Sequence, residues 1–410
     1  MNKLRYTDAG YIRKLERLSA TSSLFDPNIE SGTRTIVERV RAKGDAALIE
    51  FAKKFDDAKL TAKTLRVGEA EIVTAGKSVD SGIKSAIRFA HRNISAFHKH
   101  GLRRGWSGRN TQGARVGEKF DAFGRVGIYI PGGTAPLMST VLMTVTLAKV
   151  AGCREIVICT PCDKDGVVNP GLIHAAKVAG ATEIYRVGGA HAIAALAFGT
   201  KTIAPVQKIF GPGNAYVVAA KRLLFGHVSI DLLPGPSEVL VLADQSANPA
   251  YAAADILAQA EHGSGHERCW LISTSAKVIA SVEKEIIKQL SERLRQKYIR
   301  KALKKNGWLI QVKSLAEAVD LANRLAPEHC ELMIKNPGLI AKEIVSAGAL
   351  FLGNNSPTVA GDYVAGPSHT LPTGGAGASF SGLTVDMFQR RTSVVEYTPA
   401  TLKKSIAAIE

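Results

Sequence analysis

The residues best suited to chemistry in this sequence are carboxylates, imidazoles and one amide in its C-terminal half. Gln259 and His262 stand three residues apart at the end of an Ala-rich apolar run, 251–260, that predicts a helix. At that spacing an amide oxygen and an imidazole share one helix face and form half of a metal site, and Gly263 is typical of the residue that ends a helix. A helix end with a solvated polar tip explains the same pair, so the spacing alone leaves both interpretations open.

A second group of such residues follows between a predicted helix and a predicted strand. Glu328 and His329 are adjacent, and a carboxylate beside an imidazole can serve two proton transfers on one substrate, although a surface turn has the same composition. Asp362 lies in a short Ala-Gly-Asp-Tyr turn, and His369 lies in the string GPSHTLP. Asp, His and Gln ligands from separate segments would suit zinc or manganese, but the sequence does not show that they meet.

The elements that must position these side chains repeat the order strand, turn, helix. Short apolar strands that lead into turns and helices are predicted at 125–130, 155–160, 182–187 and 206–210. This repeat predicts a parallel doubly wound sheet with its glycine turns at the carboxyl edge, where such sheets bind ligands. The glycines offer backbone N–H groups for phosphate, and they also allow tight turns; the sequence supports both roles. No G-x-G-x-x-G follows a strand, so the usual dinucleotide fingerprint is not present.

A second series of strands and helices, from residue 237 to residue 352, predicts a second α/β unit. The fold class is therefore α/β with two domains. The predicted bounds are an N-terminal arm at 1–25, a first α/β domain at 26–129 plus 238–382, an inserted second α/β domain at 130–237, and a helix-like C-terminal tail at 383–410.

Composition narrows the class of protein. The chain has 410 residues, 46% of them hydrophobic, and a formal net charge of +17. It shows no signal peptide and no apolar run of membrane-spanning length, and its five cysteines are few and odd in number, so we predict a cytoplasmic protein without membrane partners. The basic predicted helix at 284–305 lacks an aromatic cluster, which favours attraction of anionic small molecules over nucleic acid.

Seven strings carry a family resemblance: GIYIPGGTAPLMSTVLM, VGGAHAIAALAFGT, KIFGPGNAYV, DLLPGPSEVLVLAD, LAQAEHG, APEHCEL and GDYVAGPSHTLPT. They resemble those of the histidinol dehydrogenases, occur in that family's order and cover nearly the whole chain. The resemblance implies oxidation of L-histidinol to L-histidine with two NAD molecules, through a histidinaldehyde held on the enzyme. It also implies a homodimer whose chains have two incomplete Rossmann-like domains and two small extensions.

The same resemblance implies roles for individual residues. The zinc ligands, for one zinc per subunit, would be Gln259, His262 and Asp362. The general base would be His329, and Glu328 would activate water for the second oxidation. The substrate contacts would be Ser237 and His369 together with Gln259, His262, His329 and Asp362. The NAD contacts would be Tyr129 and Asn214.

Two features depart from the family's pattern. His191 stands where the family commonly has Gln in its NAD site. The sequence ends at Glu410, whereas the family continues into a tail whose Glu and His reach substrate and zinc in the partner subunit. We therefore expect a correctly folded chain with poor zinc retention, a weakened dimer and low histidinol turnover. Two further hypotheses are a relative that oxidises another amino alcohol or diol, and a non-catalytic scaffold or nucleic-acid binder.

Overall fold

The computed structural model describes residues 1–19, 26–132 and 137–410. The strands, in chain order, are β1 (Asn2–Arg5), β2 (Trp106–Arg109), β3 (Arg115–Ala122), β4 (Arg125–Tyr129), β5 (Glu155–Thr160), β6 (Glu183–Arg186), β7 (Lys208–Phe210), β8 (Ser229–Ile230), β9 (Glu238–Ala243), β10 (Arg268–Ser273), β11 (Gly307–Gln311), β12 (His329–Met333), β13 (Ala349–Leu352) and β14 (Gln389–Glu396). The helices are α1 (Tyr11–Ser19), α2 (Pro27–Lys43), α3 (Asp45–Asp56), α4 (Glu69–Ser78), α5 (Ser81–Lys99), α6 (Met138–Ala151), α7 (Pro170–Ala179), α8 (Gly189–Phe198), α9 (Ala215–Leu224), α10 (Pro249–Ala260), α11 (Ala276–Leu290), α12 (Gln296–Asn306), α13 (Leu315–Leu325), α14 (Pro337–Ile340), α15 (Thr358–Ala360), α16 (Pro399–Lys403) and α17 (Ile406–Ile409). In these ranges no helix combines the length and the apolar character needed to cross a membrane.

A five-stranded parallel sheet has the strand order β6-β5-β4-β7-β8. Apolar side chains of α2, α3, α8 and α9 pack in one core with this sheet. Side chains of α4, α5, α6 and α7 form a second core with the same sheet. Helices on both faces bury all of β4 and β5 except the first, charged residue of each, which explains why the rest of these strands is a continuous run rather than an alternating pattern.

A six-stranded parallel sheet has the order β1-β11-β10-β9-β12-β13. Helices α10, α11 and α12 pack in one of its cores, and α1 and α13 pack in the other. All six residues of the central strand β9 are buried. Two parallel sheets covered on both faces confirm the predicted doubly wound α/β class.

The predicted domain bounds differ from this arrangement. Within the segment 26–129, predicted to belong with the later strands, α2–α5 and β4 pack in the five-stranded unit, because the apolar faces of these helices lie in its two cores and β4 is its central strand. Strands β2 and β3 of this segment lie in a separate three-stranded sheet. The N-terminal segment is not a separate arm: β1 pairs with β11 at the edge of the six-stranded sheet, and Leu4, Tyr11 and Leu15 lie in that sheet's core. The predicted boundary at residue 25 falls outside the described residues.

The predicted helix-like tail at 383–410 is also wrong over its first half. Strand β14 pairs antiparallel with β3 along its whole length in a three-stranded sheet, β14-β3-β2. Its sequence QRRTSVVE contains three β-branched residues, which favour a strand. Just before it, Phe388 is fully buried and stacks on Phe210 with ring centroids 3.8 Å apart, so this segment belongs to the core of the five-stranded unit.

Candidate active site

Helix α10 delivers Gln259 and His262, as the sequence predicts. Asn248 caps its first turn and Pro249 begins it, and the chain turns away at Gly263 with a φ of +99°. Gln259 is only 2% exposed in the last turn, and its amide nitrogen has no hydrogen-bond partner among the described residues. His262 is exposed just beyond the helix end, where its Nδ1 donates to the Gln259 carbonyl at 3.1 Å. When the ring is neutral, this bond places the proton on Nδ1 and leaves Nε2 unprotonated.

His329 opens β12 and is held at both ring nitrogens. Its Nδ1 donates to the carbonyl oxygen of Glu238 at 3.0 Å, and its Nε2 lies 3.2 Å from Oδ1 of Asp362. Burial opposes its positive charge, but the carboxylates of Glu328 and Asp362 outweigh burial and raise the pKa of His329 to about 9. The backbone bond fixes the ring so that Nε2 is the atom that gains or loses the proton.

Glu328 lies on the other side of the same imidazole. Its Oε2 accepts a hydrogen bond from the backbone N–H of Glu238 at 2.8 Å and lies 3.6 Å from Nδ1 of His329. The side chain is almost wholly buried, and burial raises its pKa to about 8 although the nearby His329 favours the charged form. A carboxyl group with a pKa near neutrality can both release and accept a proton at physiological pH.

Asp362 and His369 come from the segment after β13. Asp362 sits in a π-helical turn, Gly361–Ala365, and its carbonyl accepts from Nδ1 of His369 at 3.0 Å. Burial disfavours the Asp362 carboxylate, but the hydrogen bond from His329 and the other imidazoles outweigh it and lower its pKa. Burial lowers the pKa of His369, which therefore stays neutral and accepts from Oγ1 of Thr140 at 3.3 Å. Because Thr140 lies on α6, this contact joins the two α/β units.

One cavity of about 400 Å³ brings three of the predicted residues together. His329, Asp362 and His369 all line it, beside apolar groups such as Phe351 and Leu371. Their positions form a chain of hydrogen bonds in which Asp362 lies between the two imidazoles. The volume suits a small, polar substrate rather than a dinucleotide.

The predicted zinc ligands remain a prediction, although their chemistry fits. His262 lies close enough to Asp362 for its charge to lower the pKa of that carboxyl group. A histidine that donates Nδ1–H to a backbone carbonyl is oriented as zinc-binding histidines are, and a buried amide without a partner suits a further ligand. No cluster of three or more His, Cys, Asp or Glu side chains arranged for a metal occurs in the described ranges, and the predicted set contains only two such residues because its third member is Gln259.

A larger cleft of about 1240 Å³ lies beyond the carboxyl ends of β4, β5 and β6. Both predicted cofactor contacts, Tyr129 and Asn214, line it. The hydroxyl oxygen of Tyr129 accepts from the backbone N–H of Gly189 at 3.0 Å, and Asn214 caps the first turn of α9. The cleft therefore has two helix N-termini, those of α8 and α9, at the edge where parallel sheets bind phosphate groups.

His191, the departure from the family's pattern, also lines this cleft. It is 1% exposed, and neither ring nitrogen has a hydrogen-bond partner among the described residues. Its ring lies 5.4 Å from that of Phe51 and 6.0 Å from that of Phe55, centroid to centroid. Burial lowers its pKa to about 3, so it is a neutral imidazole with one donor and one acceptor available to a molecule in the cleft.

The remaining predicted residue, Ser237, directly precedes β9 and is half-buried. Its carbonyl accepts from the backbone N–H of Arg268 at 3.1 Å, and it lines neither the 400 Å³ cavity nor the larger cleft. Tyr129 and Asn214 line only the larger cleft. The structure thus has two distinct spaces, the cavity of about 400 Å³ and the cleft of about 1240 Å³.

Sequence reasoning missed several buried polar residues around this site. Glu238 is fully buried, pairs with Arg268 at 3.1 Å and supplies both backbone groups that hold Glu328 and His329. Asp255 and Glu331 are buried beside each other on α10 and β12. The sequence does mark these residues, because each is a carboxylate within an otherwise apolar element, and burying a carboxylate is costly unless it has a partner or a role. The role of Thr140 had no such signal, because it depends on contact between distant segments.

Comparison with known proteins identifies the family. The family model described as histidinol dehydrogenase matches residues 20–410. A Synechococcus protein named histidinol dehydrogenase is 46% identical over 381 residues, which cover 93% of this chain and 88% of that protein. A Rhodopseudomonas palustris protein of the same name is 48% identical over 375 residues, covering 92% and 86%.

A solved structure extends the agreement to three dimensions. The crystal structure of histidinol dehydrogenase from Elizabethkingia anophelis matches with a TM-score of 0.94 and 36% sequence identity, covering 100% of this chain and 93% of that one. Sequence identity near one half over almost the full length, together with the same fold, indicates common descent. This chain belongs to the histidinol dehydrogenase family.

Proposed function

We propose that this oxidoreductase converts L-histidinol to L-histidine in two consecutive NAD-dependent oxidations, through histidinaldehyde, and that a zinc ion holds the substrate. The single observation that carries the proposal is the 400 Å³ cavity in which His329, Asp362 and His369 meet. It combines a candidate base, a carboxylate and a neutral imidazole in a space suited to a small polar amino alcohol.

His329 is proposed as the base of the first oxidation. Removing a hydride from an alcohol requires that the hydroxyl proton leave as well, and a neutral imidazole is the common acceptor. With Nδ1 donating to the Glu238 carbonyl, Nε2 is the atom that would take this proton from a substrate in the cavity. Nε2 lies 3.2 Å from Asp362, and a pKa of about 9 means that this nitrogen must give up its proton before it can act as the base. It would then exchange the carboxylate partner for the substrate hydroxyl.

Glu328 is proposed to act mainly in the second oxidation. An aldehyde must add water before it can lose another hydride, and this addition requires a second proton acceptor. Burial raises the pKa of Glu328 to about 8, so a substantial fraction of the carboxyl group is protonated at neutral pH and can exchange protons with its surroundings. Its Oε2 lies 3.6 Å from Nδ1 of His329, so the two groups are close enough for the charge of one to affect proton transfer at the other.

Gln259, His262 and Asp362 are proposed to hold zinc. Their oxygen and nitrogen donors are of the kinds that zinc takes in catalytic sites with three protein ligands and one open position. When bound, the metal would fix the imidazole and amine of the substrate so that one carbon is presented for both oxidations. Ser237 and His369 would contact the substrate beside these ligands.

NAD is proposed to occupy the 1240 Å³ cleft, with Tyr129 and Asn214 as contacts. The bound cofactor would accept the hydride in each oxidation. The N-termini of α8 and α9 offer backbone N–H groups for its phosphates, and His191 offers a neutral donor and acceptor in a buried position. His191 would replace the amide that the family commonly has there.

We also propose a homodimer in a reducing cytoplasm. All five cysteines are free thiols. The three-stranded sheet exposes apolar side chains, Trp106 at 55% and Val395 at 64%, which the strand register places on the same face. Exposed apolar groups on a flat sheet suit the surface of a second copy.

The proposal is tested by NADH formation from L-histidinol after removal of metal by a chelator and after addition of zinc. We expect no turnover without metal, restored turnover with zinc, and about one zinc per chain by elemental analysis. Asp362→Asn should reduce zinc content as well as turnover, whereas Asp386→Asn, at a surface carboxylate paired with Arg103, should change neither. NADH formed from another amino alcohol but not from L-histidinol would contradict the assigned substrate.

A further inference from the structure

Two carboxyl groups face each other in the interior beneath the proposed site. Asp255 on α10 is 4% exposed and Glu331 on β12 is 1% exposed. They lie close enough to each other that each shifts the pKa of the other. Among the described residues neither has a Lys or Arg ion-pair partner, whereas the equally buried Glu238 pairs with Arg268.

A hydrogen bond between these two groups requires a proton. A carboxylate accepts hydrogen bonds but donates none, so two ionised groups cannot bond to each other. One oxygen of Glu331 accepts from the backbone N–H of Thr358 at 3.3 Å, and the other has no donor among the described residues unless the pair itself supplies one. Burial raises the pKa of Asp255 and raises that of Glu331 well above its usual value, and the nearby Asp362 adds repulsion in both cases.

The pair connects three segments that carry the proposed site. Asp255 lies one helical turn before Gln259 on α10. Glu331 lies two residues after His329 on β12. Thr358, whose N–H Glu331 accepts, begins α15, which leads directly into the turn that holds Asp362. A contact between these two carboxyl groups therefore fixes the helix, the strand and the turn relative to one another.

We propose that Asp255 and Glu331 share one proton and act as positioning residues, which hold the proposed zinc ligands and His329 in mutual alignment. Neither lines the 400 Å³ cavity, so neither touches the substrate. The pair acts through distance and angle, in the way that outer residues orient metal ligands. The kinetic part of this inference rests on the proposed function, while the shared proton does not.

The shared proton is tested by infrared difference spectroscopy at pH 7. Burial also raises the pKa of Glu328 and Glu238, so the carboxylic-acid C=O stretch of the whole protein contains several contributions. The spectrum of the unsubstituted protein minus that of Glu331→Gln isolates the pair. We expect one carboxylic-acid band in this difference, and a flat difference spectrum would overturn the proposal.

The positioning role is tested by kinetics with L-histidinol. Glu331→Gln replaces the acid by an amide of the same shape that always donates to Asp255, so kcat should stay within about threefold. Glu331→Ala leaves Asp255 and the Thr358 N–H unpaired, so kcat should fall about 10–100-fold, the usual effect of removing a residue that orients metal ligands. The KM for NAD should remain unchanged, because the larger cleft is not involved.

A matched control separates alignment from general stability. Glu183→Ala removes a partly buried carboxylate that pairs with Arg125 at 2.7 Å in the other sheet, and it should lower stability without lowering kcat. Equal losses of kcat in Glu331→Gln and Glu331→Ala, or none in Glu331→Ala, would overturn the positioning role. If Glu331→Ala does not fold, Asp255→Asn replaces it: its new amide donates to Glu331, so its kcat should match that of Glu331→Gln, and a tenfold loss would overturn the role. An infrared band in a protein that does not oxidise L-histidinol would refute the proposed function alone.

Discussion

In three histidines of the site, a backbone carbonyl holds the same ring nitrogen, Nδ1. In His262, His329 and His369, Nδ1 lies 3.1, 3.0 and 3.0 Å from a backbone carbonyl oxygen. A neutral imidazole with this bond carries its proton on Nδ1 and presents an unprotonated Nε2. In its neutral form each ring is thus fixed in the tautomer that binds a metal, accepts a proton or accepts a hydrogen bond through Nε2. His329, whose pKa is raised to about 9, carries a second proton on Nε2 at neutral pH and donates it to Asp362. Main-chain carbonyls therefore set the chemistry of three side chains from separate segments.

Substitutions of Glu328 and His329 should affect the two oxidations differently. We expect His329→Ala to lower the rate of both, by about 10²–10⁴-fold, the usual contribution of a general base. Glu328→Gln keeps the shape and the hydrogen bond from the Glu238 N–H, so it should mainly slow the oxidation of the aldehyde, which alone requires an added water. Single-turnover NADH formation, started in turn from L-histidinol and from histidinaldehyde, measures both steps.

The result is interpretable only if both variants stay folded. The far-ultraviolet circular dichroism and urea midpoint of each variant serve as the control for structure. If Glu328→Gln lowers the rates of both oxidations equally, or lowers only the rate of alcohol oxidation, the proposed division of roles is contradicted.

At the scale of the element, the turn after β7 shows how the cleft is shaped. Gly211 has a φ of +109°, and its N–H donates to Oδ2 of Asp231 at 2.7 Å. Beneath the turn, the fully buried Lys221 forms an ion pair with Asp231 and donates to the Gly211 carbonyl at 3.0 Å. A Cβ at this glycine would collide with the carbonyl oxygen of Tyr129, so only glycine allows β4 and the turn to lie so close together.

Gly211→Ala should therefore weaken both the fold and cofactor binding. Gly226 is a matched control, because its φ is +99° but a Cβ there would meet no atom within 4 Å. Gly226→Ala should cost about 1–2 kcal/mol of unfolding free energy from backbone strain alone. Gly211→Ala should cost a further ~1–3 kcal/mol from the collision, and it should reduce NAD affinity because Tyr129 and Asn214 flank the turn.

Urea unfolding measures the change in unfolding free energy of the two variants, and calorimetric titration with NAD measures the change in NAD affinity. Equal destabilisation by both substitutions, with unchanged NAD affinity, would show that the turn can move without disturbing the cleft.

The sequence determines these elements better than it determines their partners. The strand predicted at 155–160 has those bounds in β5, because it is a short apolar run between polar turns. The sequence does not predict the sheet on which α2 packs, since an amphipathic pattern shows that one helix face is buried but not which element covers it. The β14 segment is short and of mixed polarity, so its sequence has too little periodicity to distinguish a strand from a helix.

In the candidate site, too, the local pairs are predictable from the sequence and the contacts between distant segments are not. The pairs Gln259–His262 and Glu328–His329 are local in sequence, so their spacing could be read directly. The contact of Thr140 with His369 spans 229 residues and depends on how the two units pack. Local patterns supplied the chemistry, and only the tertiary structure supplied the distances.

At the scale of the whole molecule, the three-stranded sheet should be the interface between two copies. Val395→Asp places a charge on its exposed face, opposite Val116 in the strand register, and we expect it to shift a dimer towards monomer because an unpaired charge in an interface is costly. Sedimentation velocity at several protein concentrations measures this shift. Val345→Asp, at a 78% exposed position away from the sheet, should leave the sedimentation coefficient unchanged. A dimer unaffected by Val395→Asp would place the interface elsewhere.

The pairing of β1 with β11 has a consequence for synthesis of the chain on the ribosome. Asn2 donates through its side chain to the carbonyl of Gly307, a partner 305 residues later in the sequence. At a translation rate of about 5–20 residues per second, β1 waits ~15–60 s for that partner to be made. The strands β4–β8 of the other sheet are all made in this interval, so that sheet can close while β1 is still unpaired. Although β1 emerges before the other strands described here, it is among the last to be paired, and its short length, four residues, limits the edge it offers to neighbouring chains meanwhile.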